Sequence, residues 1–176
     1  MLERRSALAD AHPFAWAALT LGEVRGFTLT QVAVFDKAAE AAVAAVTGAL
    51  PQENTRAIES NGRTIFRTGP LAFWCIGPET DDLASKLHGK AIVTPLSHSR
   101  TRISIEGSAA RKVLAKGLPI DLDSSVFTPG TFAMTGLHHT PVLLHCVSES
   151  RFELYAMRTF AMDAWEWLED AALEFK

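Results

Sequence analysis

Apolar and polar residues alternate at Arg102-Ile103-Ser104-Ile105-Glu106, which predicts a strand with Ile103 and Ile105 on one face. The period then changes. Ala110, Val113 and Leu114 fall on one helical face, so the chain is expected to turn at Gly107 and enter a helix over 109–116 with Ser108 as its N-cap. Gly117 and Pro119 stop that helix. The same order occurs earlier. Thr30, Val32 and Val34 alternate with Gln31 and Ala33 in a strand over 28–35, and Asp36 is placed to cap an alanine- and valine-rich helix over 38–48. Its stripe of small residues, Ala39, Val43 and Val46, runs on to Leu50, and Pro51 ends it.

The remaining pattern fills in around these two units. A strand begins near Leu19, and another covers 55–60. Asn61-Gly62 predicts a type I′ hairpin turn into a return strand over 64–67, because both residues accept positive φ. After a turn at Thr68-Gly69-Pro70, residues 71–76 are apolar on both faces, as in a central strand. Pro78 is expected to open a helix over 79–88 with acidic residues in its first turn, closed by Gly89. A strand over 91–96 leads into the 102–119 unit. A polar link over 121–130 precedes strands over 131–137, 142–147 and 151–156, and a last helix over 160–175 has Thr159 as its expected cap. On that helix Phe160, Ala161, Ala164, Leu168, Ala171, Ala172 and Phe175 share a face, with Trp165 and Trp167 at its edges. Tryptophan at such an edge either seals the core or anchors a partner.

Each half of the chain therefore reads strand, strand, helix, Leu-Pro, three strands, helix. The Leu-Pro exits are Leu50-Pro51 and Leu118-Pro119. This repeat predicts an α+β fold of two duplicated ferredoxin-like sandwich halves, paired as a pseudo-dimer that exchanges strands. The expected division is an N-terminal arm over 1–17, a first half over 18–90 and a second over 91–176. The arm carries Pro13, Phe14 and Trp16, which are expected to pack on their own domain or on a partner rather than face water.

Composition narrows the function classes. Of 176 residues, 48% are hydrophobic and net charge is −3, so no basic surface speaks for nucleic acid or a polybasic membrane anchor. No apolar run approaches the roughly 20 residues of a membrane helix. Arg4 and Arg5 precede an apolar run, but Asp10, His12 and Pro13 intervene, which argues against a signal peptide. The two cysteines, Cys75 and Cys146, lie in apolar strands and read as buried reduced thiols, which fits a cytoplasmic protein.

Candidate chemistry is sparse. Metal-ligand, dinucleotide and nucleophile-elbow motifs are missing from the sequence. Gly107-Ser108 could seat an anion at a helix start, yet a capped turn explains both residues. His138-His139 reads as a solvated turn, and His145 and Cys146 point to opposite faces of a strand. Ser97-His98-Ser99-Arg100 sets hydroxyls beside a histidine without an orienting carboxylate, so it reads as a polar crossing. Arg158 could clamp a carboxylate or phosphate, or pair with an acidic side chain.

Several segments together resemble the gamma subunit of heterotetrameric sarcosine oxidase. They are Leu96-Ser97-His98-Ser99-Arg100, Ile105-Glu106-Gly107-Ser108-Ala109-Ala110, Val113-Leu114-Ala115-Lys116-Gly117, Pro119-Ile120-Asp121-Leu122 and Leu143-Leu144-His145. The ending resembles it too, from Phe152-Glu153-Leu154-Tyr155-Ala156-Met157-Arg158 through Trp165-Glu166-Trp167-Leu168. The resemblance is specific over 91–175 and rests on element order over 19–90. It implies the fold of the folate-binding domain of aminomethyltransferases. It also implies a flavoprotein oxidoreductase complex that oxidatively demethylates sarcosine or a related N-methyl amino acid. The implied partners are alpha, beta and delta subunits, and those chains would hold the FAD, FMN, NAD, tetrahydrofolate and zinc. The gamma branch would contribute no catalytic, cofactor or metal residue, leaving Phe14, Trp16, Arg158, Trp165 and Trp167 as interface candidates. The alternatives are a subunit of N-methylglutamate dehydrogenase and a free-standing folate-binding or aminomethyl-transfer module.

Overall fold

The protein is described by a computed structural model over residues 5–176. Arg4 and the start of the expected arm lie outside the described residues. The elements are β1 (Phe14–Ala15), β2 (Thr20–Val24), β3 (Phe27–Ala33), α1 (Glu40–Thr47), β4 (Ile58–Ser60), β5 (Arg63–Gly69), β6 (Ala72–Pro78) and α2 (Leu83–Lys86). There follow β7 (Ile92–Pro95), β8 (Arg100–Glu106), α3 (Ala110–Ala115), β9 (Phe132–Leu137), β10 (Thr140–Ser148), β11 (Arg151–Met157) and α4 (Ala161–Ala172). A 3-10 turn flanks α4 at each end.

Two sheets result. One has the order β9-β10-β11-β8-β2-β1 and the other β4-β5-β6-β3-β7. The repeat is visible in these orders: β3 corresponds to β8, β4 to β9, β5 to β10 and β6 to β11. The first strand of each repeat has changed places. β2 precedes β3 in the chain but pairs antiparallel with β8, whereas β7 precedes β8 but pairs antiparallel with β3. The chain accordingly divides into two compact units that are discontinuous in sequence. One combines the chain up to Arg25 with Ser99–Pro129 and Ala133–Lys176, and the other is Gly26–His98 with Gly130–Phe132. These bounds differ from the expected division into 18–90 and 91–176, because β2 pairs with β8 and β7 pairs with β3.

Each unit buries one face of its sheet under its helices. In the first, Ala110, Val113 and Leu114 of α3 and Ala164, Trp165 and Leu168 of α4 pack with Leu21, Ile103, Ile105, Phe152 and Leu154. In the second, Val43 of α1 and Leu83 of α2 pack with Val32, Val34, Ile65, Phe73 and Cys75. The fully buried Ile103 and Phe73 each contribute about 2 kcal/mol through removal of apolar surface from water. The Asn61-Gly62 hairpin forms as expected, with φ of 50° and 72° and Ser60 paired to Arg63.

Several local expectations are corrected. The arm contains a strand: β1 pairs with β2 through Phe14 and Leu21. Pro78 ends β6, and α2 starts only at Leu83, with Asp82 accepting from the Ser85 N–H at 3.3 Å. The acidic turn before it is used differently, since Asp81 binds Arg63 through both oxygens at 2.5 Å. Asp36 accepts from the Ala39 N–H at 2.8 Å, capping a turn that precedes α1. Ser108 makes no cap bond at α3. The Ala110 N–H goes instead to the Gly107 carbonyl at 3.1 Å, the Ala109 N–H goes to the Ala18 carbonyl at 3.0 Å, and Gly107 holds φ at +135°. Thr159 lies inside the 3-10 turn rather than capping α4. Phe160, expected in the core face, is exposed, and Trp165, expected at the edge, sits at the centre with 1% exposure.

Candidate functional site

Polar residues gather on the sheet face of the first unit that points away from its helices. Along β11, Phe152, Leu154 and Ala156 enter the core, so Glu153 and Tyr155 take the opposite face. The same alternation sends Arg102 of β8 and His145 of β10 there. Register then assembles them, pairing His145 with Glu153 and Tyr155 with Arg102.

Glu153 is the centre of this cluster and is 2% exposed. Its Oε2 accepts from Arg102 Nε at 2.9 Å, Arg102 Nη2 at 2.6 Å and the Tyr155 hydroxyl at 3.0 Å. Its Oε1 accepts from Arg151 at 3.4 Å. The Arg102 guanidinium also lies 5.6 Å from the Tyr155 ring centroid. His145 is held neutral. Burial pushes its pKa down to about 4, Arg102 acts in the same direction, and Glu153 opposes both. A buried carboxylate with three cationic or hydroxyl partners is a fixed structural acceptor, whereas a general base needs a lone pair turned toward substrate.

The second unit has its own charged pairs. The Arg63–Asp81 pair is more than nine-tenths buried, and Arg63 holds the Asp81 carboxyl below the usual carboxylate range. Arg67 binds Glu40 at 3.0 Å and lies 4.6 Å from the Phe73 ring centroid. Both pairs clamp loop or helix to strand.

The interface candidates take separate places. Phe14 and Trp16 stack on each other, centroids 3.9 Å apart, and Lys176 Nζ lies 5.8 Å from the Trp16 ring. Arg158 donates to the Arg5 carbonyl at 2.5 Å, so it holds backbone of the arm rather than a carboxylate. Trp165 is a core residue in this chain, which removes it as a surface anchor. Trp167 is half-buried beside Gly117, where a Cβ would meet its ring. Ser97 closes a strand end through its hydroxyl, which accepts from the Leu29 N–H at 3.0 Å. His138 and His139 are exposed, with rings 3.9 Å apart. Cys75 and Cys146 are free and buried, and burial pushes the Cys75 thiol up to about 12. Among the described residues, no three His, Cys, Asp or Glu side chains are grouped to hold a metal ion, and no helix is long and apolar enough to cross a membrane.

The Glu153 cluster escaped sequence reasoning. Its signal was present as charges at alternate positions of apolar strands, Arg102 in β8 and Glu153 in β11. Only the pairing register, however, shows that they meet.

The fold and these clusters define a class first: a mixed α/β protein of two antiparallel sheets, matching the folate-binding-like fold of aminomethyltransferases. The aminomethyltransferase T of the glycine cleavage system from Bartonella henselae superposes with a TM-score of 0.66 at 18% identity, over 86% of this chain and 45% of that one. The narrower comparison concerns heterotetrameric sarcosine oxidase from Corynebacterium sp. U-96, determined in complex with pyrrole 2-carboxylate. A chain of that enzyme matches with a TM-score of 0.88 at 30% identity, over 98% of this chain and 96% of that one. The chain belongs to the sarcosine oxidase, gamma subunit family, whose model matches residues 79–174. Among its relatives, sarcosine oxidase subunit gamma from Arthrobacter sp. is 33% identical over 90% of this chain and 82% of its own length. The subunit from Corynebacterium sp. strain U-96 is 32% identical over 98% of this chain and 91% of its own.

Proposed function

We propose that this chain is a non-catalytic subunit of a cytoplasmic, flavin-dependent oxidase of sarcosine or a related N-methyl amino acid. It stabilises the alpha, beta and delta subunits and walls part of an internal cavity. FAD, FMN, NAD, tetrahydrofolate and zinc belong, on this reading, to the other chains. The observation that carries the proposal is the likeness to a chain of a heterotetrameric sarcosine oxidase over nearly the full length of both. The saturated Glu153 cluster supports the non-catalytic part, because its carboxylate oxygens already serve Arg102, Arg151 and Tyr155.

Purification of the chain alone, followed by flavin spectroscopy and an oxygen-consumption assay with sarcosine, tests the reading. The expected result is no flavin absorbance and no turnover, with activity present when the partner subunits are co-expressed. Sarcosine oxidation by the isolated, flavin-free chain would overturn it.

A further inference from the structure

The first strand of each repeat has one edge in its sheet and one edge outward. In the six-stranded sheet, the outer edge of β2 is covered by β1, with Phe14 opposite Leu21 and Ala15 opposite Thr20. The corresponding strand of the other sheet, β7, stands at the end of its order, and no described strand pairs with its outer edge. The internal repeat thus presents the same edge twice, once with its occupant and once without.

We propose that the outer edge of β7 docks a short extended segment of a partner subunit, apolar at its centre and acidic at its flanks. This rests on the reading of the chain as a subunit.

The backbone fits such a guest. The Leu96 N–H donates to the Leu29 carbonyl at 2.8 Å, which sets the alternation of the β3–β7 ladder. Ile92 and Thr94 then turn their backbone groups toward β3, and Val93 turns its N–H and C=O outward. Pro95, at the next outward position, has no N–H to give, so the ladder is limited to a few residues. The β1–β2 pairing, two residues long, has the same scale. Exposed main-chain groups of this kind recruit strands by edge addition.

The side chains set the chemistry of the guest. Ile92 is 52% exposed beside Ala33, its cross-strand partner, and Phe35, two residues beyond Ala33, is 73% exposed. These two form the apolar part. Lys90 and Lys37 flank them in sequence and are exposed, as is His88. From Leu83 to His98 the chain has two lysines, Lys86 and Lys90, and no acidic residue, against a net charge of −3 for the whole. Asp36 and Asp82 turn toward the backbone N–H groups of Ala39 and Ser85, and Asp81 pairs with Arg63 and Lys86, which leaves Lys90 and Lys37 as the exposed cations beside Ile92 and Phe35. Basic flanks favour an acidic guest and disfavour a second copy, whose own lysines would face these.

Hydrogen exchange at the Val93 amide tests the assignment, measured in the full chain alone and in the complex co-purified with its partner subunits. The expected result is fast exchange alone and protection in the complex. Val93→Pro, which removes the outward N–H, and Lys90→Glu are expected to weaken association about tenfold each, the worth of roughly one lost hydrogen bond or reversed charge. Unchanged melting of the free variants shows that the fold is intact, and the exchange measurement does not depend on them. Fast exchange in an intact complex overturns the docking site and leaves the subunit reading standing. Protection in the isolated chain also overturns it, in favour of a second copy if the mass is dimeric. Failure to co-purify with any partner subunit removes both readings.

Discussion

Arg102 places two of its N–H groups on a single oxygen of Glu153, Oε2, at 2.9 and 2.6 Å, while Arg151 reaches only the other oxygen at 3.4 Å. The two arginines differ in exposure as well, at 17% and 39% of the side chain. Glu153→Ala should therefore cost about 3–5 kcal/mol, since it strands the Arg102 charge in a poorly solvated place. Arg151→Ala should cost less than about 1 kcal/mol, as exposed pairs do. Urea denaturation of the two variants separates these values. Equal losses would mean that the network is not centred on the Arg102 bond.

His145 gives the fold a pH dependence of known sign. Its folded pKa is about 4, below the 6.5 expected when unfolded. Both states are neutral above pH 6.5, so the group is silent there. As pH falls from 6.5 to about 4, the unfolded chain binds a proton that the folded chain refuses, and stability drops by up to roughly 3 kcal/mol. Below pH 4 this contribution is constant. His145→Gln should flatten the stability profile between pH 6.5 and 4, as read by denaturant midpoints at several pH values. The Asp81 carboxyl, held low by Arg63, adds its own loss only under more acidic conditions.

Gly107 is required by a close approach. A Cβ there would lie 2.2 Å from the Ala18 carbonyl oxygen, which accepts the Ala109 N–H, and the φ of +135° disfavours any L side chain. Gly107→Ala should destabilise by about 3 kcal/mol or more, through strain and loss of that bond. Ser108→Ala, one residue on and without a cap bond, should be nearly neutral. Thermal melting distinguishes the pair.

The tryptophans of α4 should separate in the same way. Trp165→Ala empties the centre of a core and should cost about 3–5 kcal/mol. Gly117→Ala should be destabilising because its methyl would stand 2.4 Å from the Trp167 ring, and Trp167→Leu should rescue it. A double-mutant cycle on stability would show strong coupling. Additive losses would mean that the ring moves aside freely.

Element order and type were largely legible in the sequence because each period of two or 3.6 coincides with a buried face here. Ile103 and Ile105 alternate into the core, and Asn61-Gly62 turns where its backbone preference demands. Boundaries were less legible where a side chain found a tertiary partner. Asp81 left the start of a helix for Arg63, and at Ser108 the Ala110 N–H turns to the Gly107 carbonyl while the neighbouring Ala109 N–H is held by Ala18, a backbone group far away in sequence. The Glu153 cluster depends on register between β8, β10 and β11, which no local pattern encodes. Trp165 was misplaced because Phe160 pulled the expected helical face toward itself, whereas in the fold Phe160 belongs to a 3-10 turn and faces water.

The exchanged first strands also set an order for synthesis. Leu21 of β2 pairs with Ile105 of β8, so the amino-terminal strand emerges from the ribosome long before its partner exists. The sheet β4-β5-β6-β3-β7, by contrast, has all its strands once Pro95 has emerged. Translation should therefore deliver a finished five-stranded sheet first, with the β1–β2 ribbon waiting for its partner β8. Ribosome stalling just after His98 would leave that ribbon open to chaperones and to other nascent chains.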